Sequence, residues 1–117
     1  AIVNFSSESA LRPLTRVVGY GAAKAAISNL TKYLAGELAI KFGEGLRVNA
    51  IAPGFMETEL SHDMMVSQTG KEITARIPAR RWGKPEDLKG ITVFLASAAS
   101  DYLSGAVIPV DGGYLCK

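Results

Sequence analysis

The sequence predicts an α/β protein with a parallel β-sheet covered by helices. Three short apolar runs rich in β-branched residues, Ala1 to Phe5, Leu46 to Ile51 and Ala106 to Val110, are separated by stretches of helical periodicity. Strands connected this way pair in parallel, because a parallel neighbour needs a crossover of a dozen or more residues, usually a helix. The size and makeup agree: 117 residues, 48% hydrophobic and 21% charged, describe one globular unit.

Taken in order, Ala1 to Phe5 reads as a buried strand. Ser6 to Val18, with Ser6, Ser7, Glu8, Ser9 and Pro13, reads as a loop. Tyr20 to Phe42 contains no proline, and Ala23, Ile27, Leu30, Leu34 and Leu38 fall at helical spacing, which predicts one long helix with that stripe turned inward. Gly43 and Gly45 end it, since glycine adopts positive φ at little steric cost. On the opposite flank Ala22, Ala26, Asn29 and Tyr33 would admit a second helix. Leu46 to Ile51 is the next strand, stopped by Pro53-Gly54. From 55 to 82 the pattern loosens, with Met56, Met64 and Met65 among polar residues, and predicts a mobile substrate lid with one or two short helices. Pro85-Glu86-Asp87 opens a helix with Leu88, Ile91 and Leu95 inward, and the last strand ends at Asp111-Gly112-Gly113.

Composition narrows the function classes. The longest unbroken apolar run is Val93 to Ala96, far short of the roughly 18 residues of a membrane span. A net charge of +2 with scattered arginines forms no basic tract, so nucleic acid is not the expected partner. Cys116 is the single cysteine, which removes an intrachain disulfide and a cysteine zinc site and suggests a reducing, cytoplasmic compartment. No metal site is expected.

Tyr20 and Lys24 lie four apart at the start of the long helix, so both project from one face. An ammonium beside a phenol stabilises the phenolate, and the pair can serve as a proton donor or acceptor. On spacing alone the commoner reading is a helix-surface pair. Their surroundings favour chemistry: Ser7 follows the first strand and Pro53-Gly54 with Thr58 follows the second, and active sites of parallel sheets collect at the C-terminal strand ends. His62 is the single histidine, yet no G-x-S-x-G elbow surrounds Ser7, so a hydrolase triad is disfavoured against a surface histidine on the lid. Trp82, next to Arg80 and Arg81, reads as an aromatic anchoring the lid to the core in preference to an anion contact.

Five stretches in one order, Ile2-Val3-Asn4-Phe5-Ser6-Ser7, Tyr20-Gly21-Ala22-Ala23-Lys24, Arg47 to Gly54 with Thr58, Arg81 to Leu88, and Val110-Asp111-Gly112-Gly113, resemble the short-chain dehydrogenase/reductase family. The resemblance covers nearly the whole chain. It implies the C-terminal part of a Rossmann-type doubly wound parallel sheet, acting with NAD or NADP on a small carbonyl or alcohol substrate. Ser7 matches the serine that binds the substrate oxygen, Tyr20 the acid/base, and Lys24 the residue that assists the tyrosine and holds the nicotinamide ribose. Pro53, Gly54 and Thr58 match the turn beside the nicotinamide. Within the family, Arg76 to Gly83 and Val110 to Leu115 look most like sugar-acid dehydrogenases of the gluconate 5-dehydrogenase type, which suggests a sugar acid or polyol. A 3-oxoacyl-carrier-protein reductase is the alternative, and a homo-oligomer, dimer or tetramer, is implied.

The family's glycine-rich phosphate-binding turn has no counterpart between Ala1 and Lys117. The expectation is therefore that 1–117 is the C-terminal catalytic half of a single dehydrogenase domain, active only with the N-terminal dinucleotide-binding half. A competing expectation, from another class, is a non-catalytic fragment that only packs or oligomerises.

Overall fold

The computed structural model describes residues 1–43 and 45–116. Its centre is a three-stranded parallel sheet of β1 (Ile2–Phe5), β2 (Val48–Pro53) and β3 (Val107–Val110), ordered β1-β2-β3. Ile2 to Phe5 pair with Val48 to Ile51, and Ala50 to Pro53 pair with Val107 to Val110. The first crossover is α1 (Val18–Phe42). The second contains α2 (His62–Val66), α3 (Gln68–Arg76) and α4 (Lys89–Ala96). Both α1 and α4 pack on β1 and β2. None of the described helices is long and apolar enough to cross a membrane.

The middle strand is the core: Val48, Ala50, Ile51 and Ala52 are fully buried. The flanking strand β1 departs from the fully buried strand that its composition predicts, because among the described strands it has a neighbour on one side only, and Ile2 and Phe5 stay exposed. Asn49, also buried, replaces water with backbone: its Nδ2 donates to the Leu103 carbonyl at 2.7 Å and its Oδ1 accepts from Ala106 N at 3.0 Å. Those bonds fold the approach to β3 back along β2.

α1 is rotated relative to the predicted stripe. Ala23 and Leu30 face outward, Ile27, Leu34 and Leu38 of the predicted stripe are half-buried, and the buried residues are Ser28 and Thr31. The reason is a line of directional bonds: Asn4 Nδ2 donates to Thr31 Oγ1 at 3.0 Å, and the Ser6 and Ser28 hydroxyls meet at 2.6 Å. Thr31 Oγ1 in turn donates to the Ile27 carbonyl. Apolar residues surround this helix on nearly every side, so periodicity gives no clear face, whereas a buried hydroxyl without a partner would cost about 1–3 kcal/mol. α1 starts at Val18, two residues ahead of the predicted Tyr20, and stops at Gly43, whose N–H still donates to the Ala39 carbonyl and whose φ of 81° takes the backbone out of the helix.

The segment 55–82 holds the two short helices expected of it, and its ends are stitched together. Met56 bridges to Gly83, Gly83 N donates to Phe55 O, and Glu57 N donates to Gly83 O. Beneath it Ile77, Trp82 and Tyr114 form a buried cluster, with Phe55 packed 5.2 Å from the Trp82 ring and 5.3 Å from Tyr114. Trp82 Nε1 donates to Thr74 Oγ1 at 3.0 Å, a bond within the segment, while the cluster the indole shares with Tyr114 ties the segment to the turn after β3. Pro85 leads into α4 through a 3₁₀ turn, with Asp87 accepting from Lys84 N. Arg47 closes the other end of that helix, donating to the Leu95 and Ser97 carbonyls and to Ser100 Oγ.

Candidate active site at the strand ends

Parallel pairing brings the ends of β1, β2 and β3 to one rim of the sheet. Past Phe5 the chain stays on the rim for one more bond, Ser6 N to Ile51 O, and then turns through a 3₁₀ turn at Glu8–Ala10. The neighbouring serines take different work. Ser6 Oγ bonds Ser28 and donates to the Lys24 carbonyl, tying the turn to α1. Ser7 Oγ accepts from Ser9 N at 3.2 Å and from Ser9 Oγ at 3.0 Å.

Tyr20 and Lys24 come together as their spacing predicts. Tyr20 stands on the first turn of α1, 52% exposed, and Lys24 Nζ lies 5.7 Å from the centre of its ring. The same ammonium donates to the Phe5 carbonyl at 2.9 Å, so the pair is fixed to the last residue of the strand that leads into Ser7. Lys24 carries three N–H donors and this bond uses one, which leaves donors for a ligand's hydroxyls.

Gly54 N donates to Val110 O, continuing the β2–β3 pairing beyond Pro53. A Cβ on Gly54 would fall 2.7 Å from the Asp111 Cα and 3.0 Å from Glu8 Oε2. Only glycine allows this approach. Thr58 is exposed and caps the next 3₁₀ turn in a reciprocal pair: its Oγ1 accepts from Ser61 N, and its N–H donates to Ser61 Oγ at 2.9 Å. His62 is exposed at the start of α2 and makes no hydrogen bond to Ser7 among the described residues. Arg81 is engaged by Asp87 through two bonds of 2.6 and 3.0 Å. That clamp, with the Lys84 N–H behind it, holds the Asp87 carboxyl down at about 2.

Sequence reading missed Glu8. It is 3% exposed, and its Oε2 is buried without a hydrogen-bond partner among the described residues. Burial, and secondly the charge of Asp111, push its carboxyl up from 4.5 to about 7. Asp111 makes no hydrogen bond to Oε2; its own oxygens accept from Gly113 N and Leu115 N, each at 2.9 Å. A glutamate in a serine-rich turn reads as solvated charge. The one available signal was its place directly after a strand, where β2 and β3 also end.

A family model described as enoyl-(acyl carrier protein) reductase matches residues 1–115. The chain belongs to the short-chain dehydrogenase/reductase family. It is 46% identical over 117 residues to the 2-dehydro-3-deoxy-D-gluconate 5-dehydrogenase of Dickeya dadantii, covering 99% of this chain and 45% of that protein. To the 3-oxoacyl-acyl-carrier-protein reductase of Thermotoga maritima it is 41% identical over 113 residues, covering 97% and 44%. Among solved structures, a gluconate 5-dehydrogenase from Burkholderia cenocepacia in complex with NADP and tartrate superimposes with a TM-score of 0.91 at 35% identity, covering 99% of this chain and 45% of that one. The chain therefore spans less than half the length of the short-chain dehydrogenases it matches. Its parallel sheet and helices are one part of their Rossmann fold.

Proposed function

We propose that the whole protein is an NAD(P)-dependent oxidoreductase interconverting a secondary alcohol and a ketone, with Ser7, Tyr20 and Lys24 as its catalytic residues. The observation that carries the reading is the Lys24 ammonium, bonded to the Phe5 carbonyl and lying beside the Tyr20 ring at the strand rim. A nicotinamide cofactor supplies or accepts the hydride. The donors left on Lys24 fit its ribose hydroxyls, and Pro53, Gly54 and Thr58 are the residues proposed to flank the ring.

The chain's own residues manage charge and protons. As a carbonyl is reduced, negative charge grows on its oxygen, and the Ser7 hydroxyl and the Tyr20 phenol donate to that oxygen, more strongly toward the transition state. Tyr20 Oη gives up its proton as the alkoxide forms. The Lys24 charge beside the ring stabilises the phenolate left behind. In the oxidation direction the same phenolate takes the alcohol proton.

A sugar acid or polyol is the proposed substrate class, supported by the similarity to sugar-acid dehydrogenases from Dickeya and Burkholderia. A second reading, reduction of a 3-oxoacyl thioester, is favoured by the Thermotoga relative. Steady-state assays of the whole protein separate them: a higher kcat/KM for keto-sugar acids than for 3-oxoacyl thioesters supports the first, and the reverse supports the second. For the chemistry itself, Tyr20→Phe lowers turnover at least about a hundredfold while cofactor affinity changes little. Turnover near that of the parent overturns the assignment.

A further inference from the structure

A serine hydroxyl has one proton to give and two positions at which to accept. On Ser7 both accepting positions are filled by a single residue, since Ser9 donates to it through its backbone N–H and through its own hydroxyl. Ser7 Oγ donates to no group among the described residues. Ser6, its neighbour, contrasts with it: that hydroxyl is spent on Ser28 and on the Lys24 carbonyl. Ser9 is itself held in place, buried, with its carbonyl against α1 at Gly21, 3.4 Å from where a Cβ there would lie. An oxygen that accepts twice points its proton away from both donors, and accepting also polarises the remaining O–H.

We infer that Ser9 is a positioning residue that fixes the Ser7 hydroxyl as a donor aimed at the substrate oxygen. The inference rests on the proposed role of Ser7 and adds a second residue that touches neither substrate nor cofactor. Without the Ser9 hydroxyl, the Ser7 hydroxyl keeps one of its two orienting bonds and can rotate its proton away from the reacting oxygen. The loss falls on the step in which charge develops, hence on kcat.

The rival account is that the bonds between Ser9 and Ser7 only brace the 3₁₀ turn. A double-substitution cycle on the whole protein separates the two. Ser9→Ala is expected to lower kcat about tenfold, the equivalent of one hydrogen bond, with cofactor affinity and melting temperature near the parent's. In a Ser7→Ala background the same substitution is expected to cost nothing further, because the hydroxyl it orients is gone. If Ser9→Ala lowers the melting temperature, Ser9→Cys, which keeps the side-chain shape with a weak S–H donor, carries the same cycle. An equal loss in both backgrounds, or a crippled Ser7→Ala beside an unimpaired Ser9→Ala, overturns this inference alone. An unimpaired Ser7→Ala overturns the role proposed for Ser7, and the inference with it.

Discussion

Glu8→Gln removes a buried acid and leaves its shape, so it isolates what ionisation of that carboxyl costs the fold. The folded-state value of about 7 lies above the ordinary 4.5. Between those two limits the folded protein holds a proton that the unfolded chain has released, so stability falls as pH rises. Below the lower limit both states are protonated and the penalty vanishes; above the upper one it is constant. The 3% exposure of Glu8 leaves little solvent to screen the effect. At 1.36 kcal/mol per unit, the full shift is worth roughly 3 kcal/mol, most of which develops between about pH 5 and about pH 8.

Urea unfolding of parent and variant at a series of pH values tests this, followed through the fluorescence of Trp82, the single tryptophan and itself buried. The absolute effect of Gln includes the cost of burying its amide, so the quantity to read is how the difference between the two proteins changes with pH. The variant is expected to gain on the parent by roughly 2–3 kcal/mol from about pH 5 to about pH 8. A difference that stays flat to within about 0.5 kcal/mol over that range refutes the buried, unpartnered carboxyl, because no other titration is removed by the substitution.

Gly54→Ala places a methyl against the Asp111 backbone and is expected to destabilise by about 1–3 kcal/mol, measured by the same urea titration. Asp87 keeps its charge down to about 2, so stability from its bonds to Arg81 is present above 3.8 and lost as pH falls through about 2; an NMR titration of its carboxyl should show the low midpoint. On α1, Val18, Tyr33, Ile40 and Phe42 are exposed, and the whole protein is expected to cover them in a symmetric oligomer; a monomer by light scattering at micromolar concentration contradicts this.

The architecture was legible because two periodicities alternate along the chain, and parallel pairing follows from the length of the crossovers. Tyr20 and Lys24 were legible for the same kind of reason: a spacing of four on a helix leaves no choice about sharing a face. The orientation of α1 was not. Its apolar residues surround the axis, and what turns Ser28 and Thr31 inward is the chemistry of Asn4 and Ser6 on another element. Glu8 was hidden likewise, because Gly54, which its carboxylate approaches, and Asp111, whose charge it feels, are both far from it in sequence.

Where hydrogen bonds replace apolar packing, position is held more tightly. An apolar stripe can slide or roll on a sheet with little loss, whereas the bonds from Asn4 to Thr31 and from Ser6 to Ser28 fail within a fraction of an ångström. These bonds lie on the face of α1 that carries Lys24, and the Lys24 ammonium adds a third to Phe5. The start of α1 is thus set by directional contacts to β1 and to the turn that bears Ser7. The proton-donor role proposed for Tyr20 needs that accuracy, because proton transfer requires a heavy-atom separation of roughly 2.6–3.2 Å in the reacting complex. The polar seam that obscures the helix in the sequence is the feature that aligns its first turn with the strand ends.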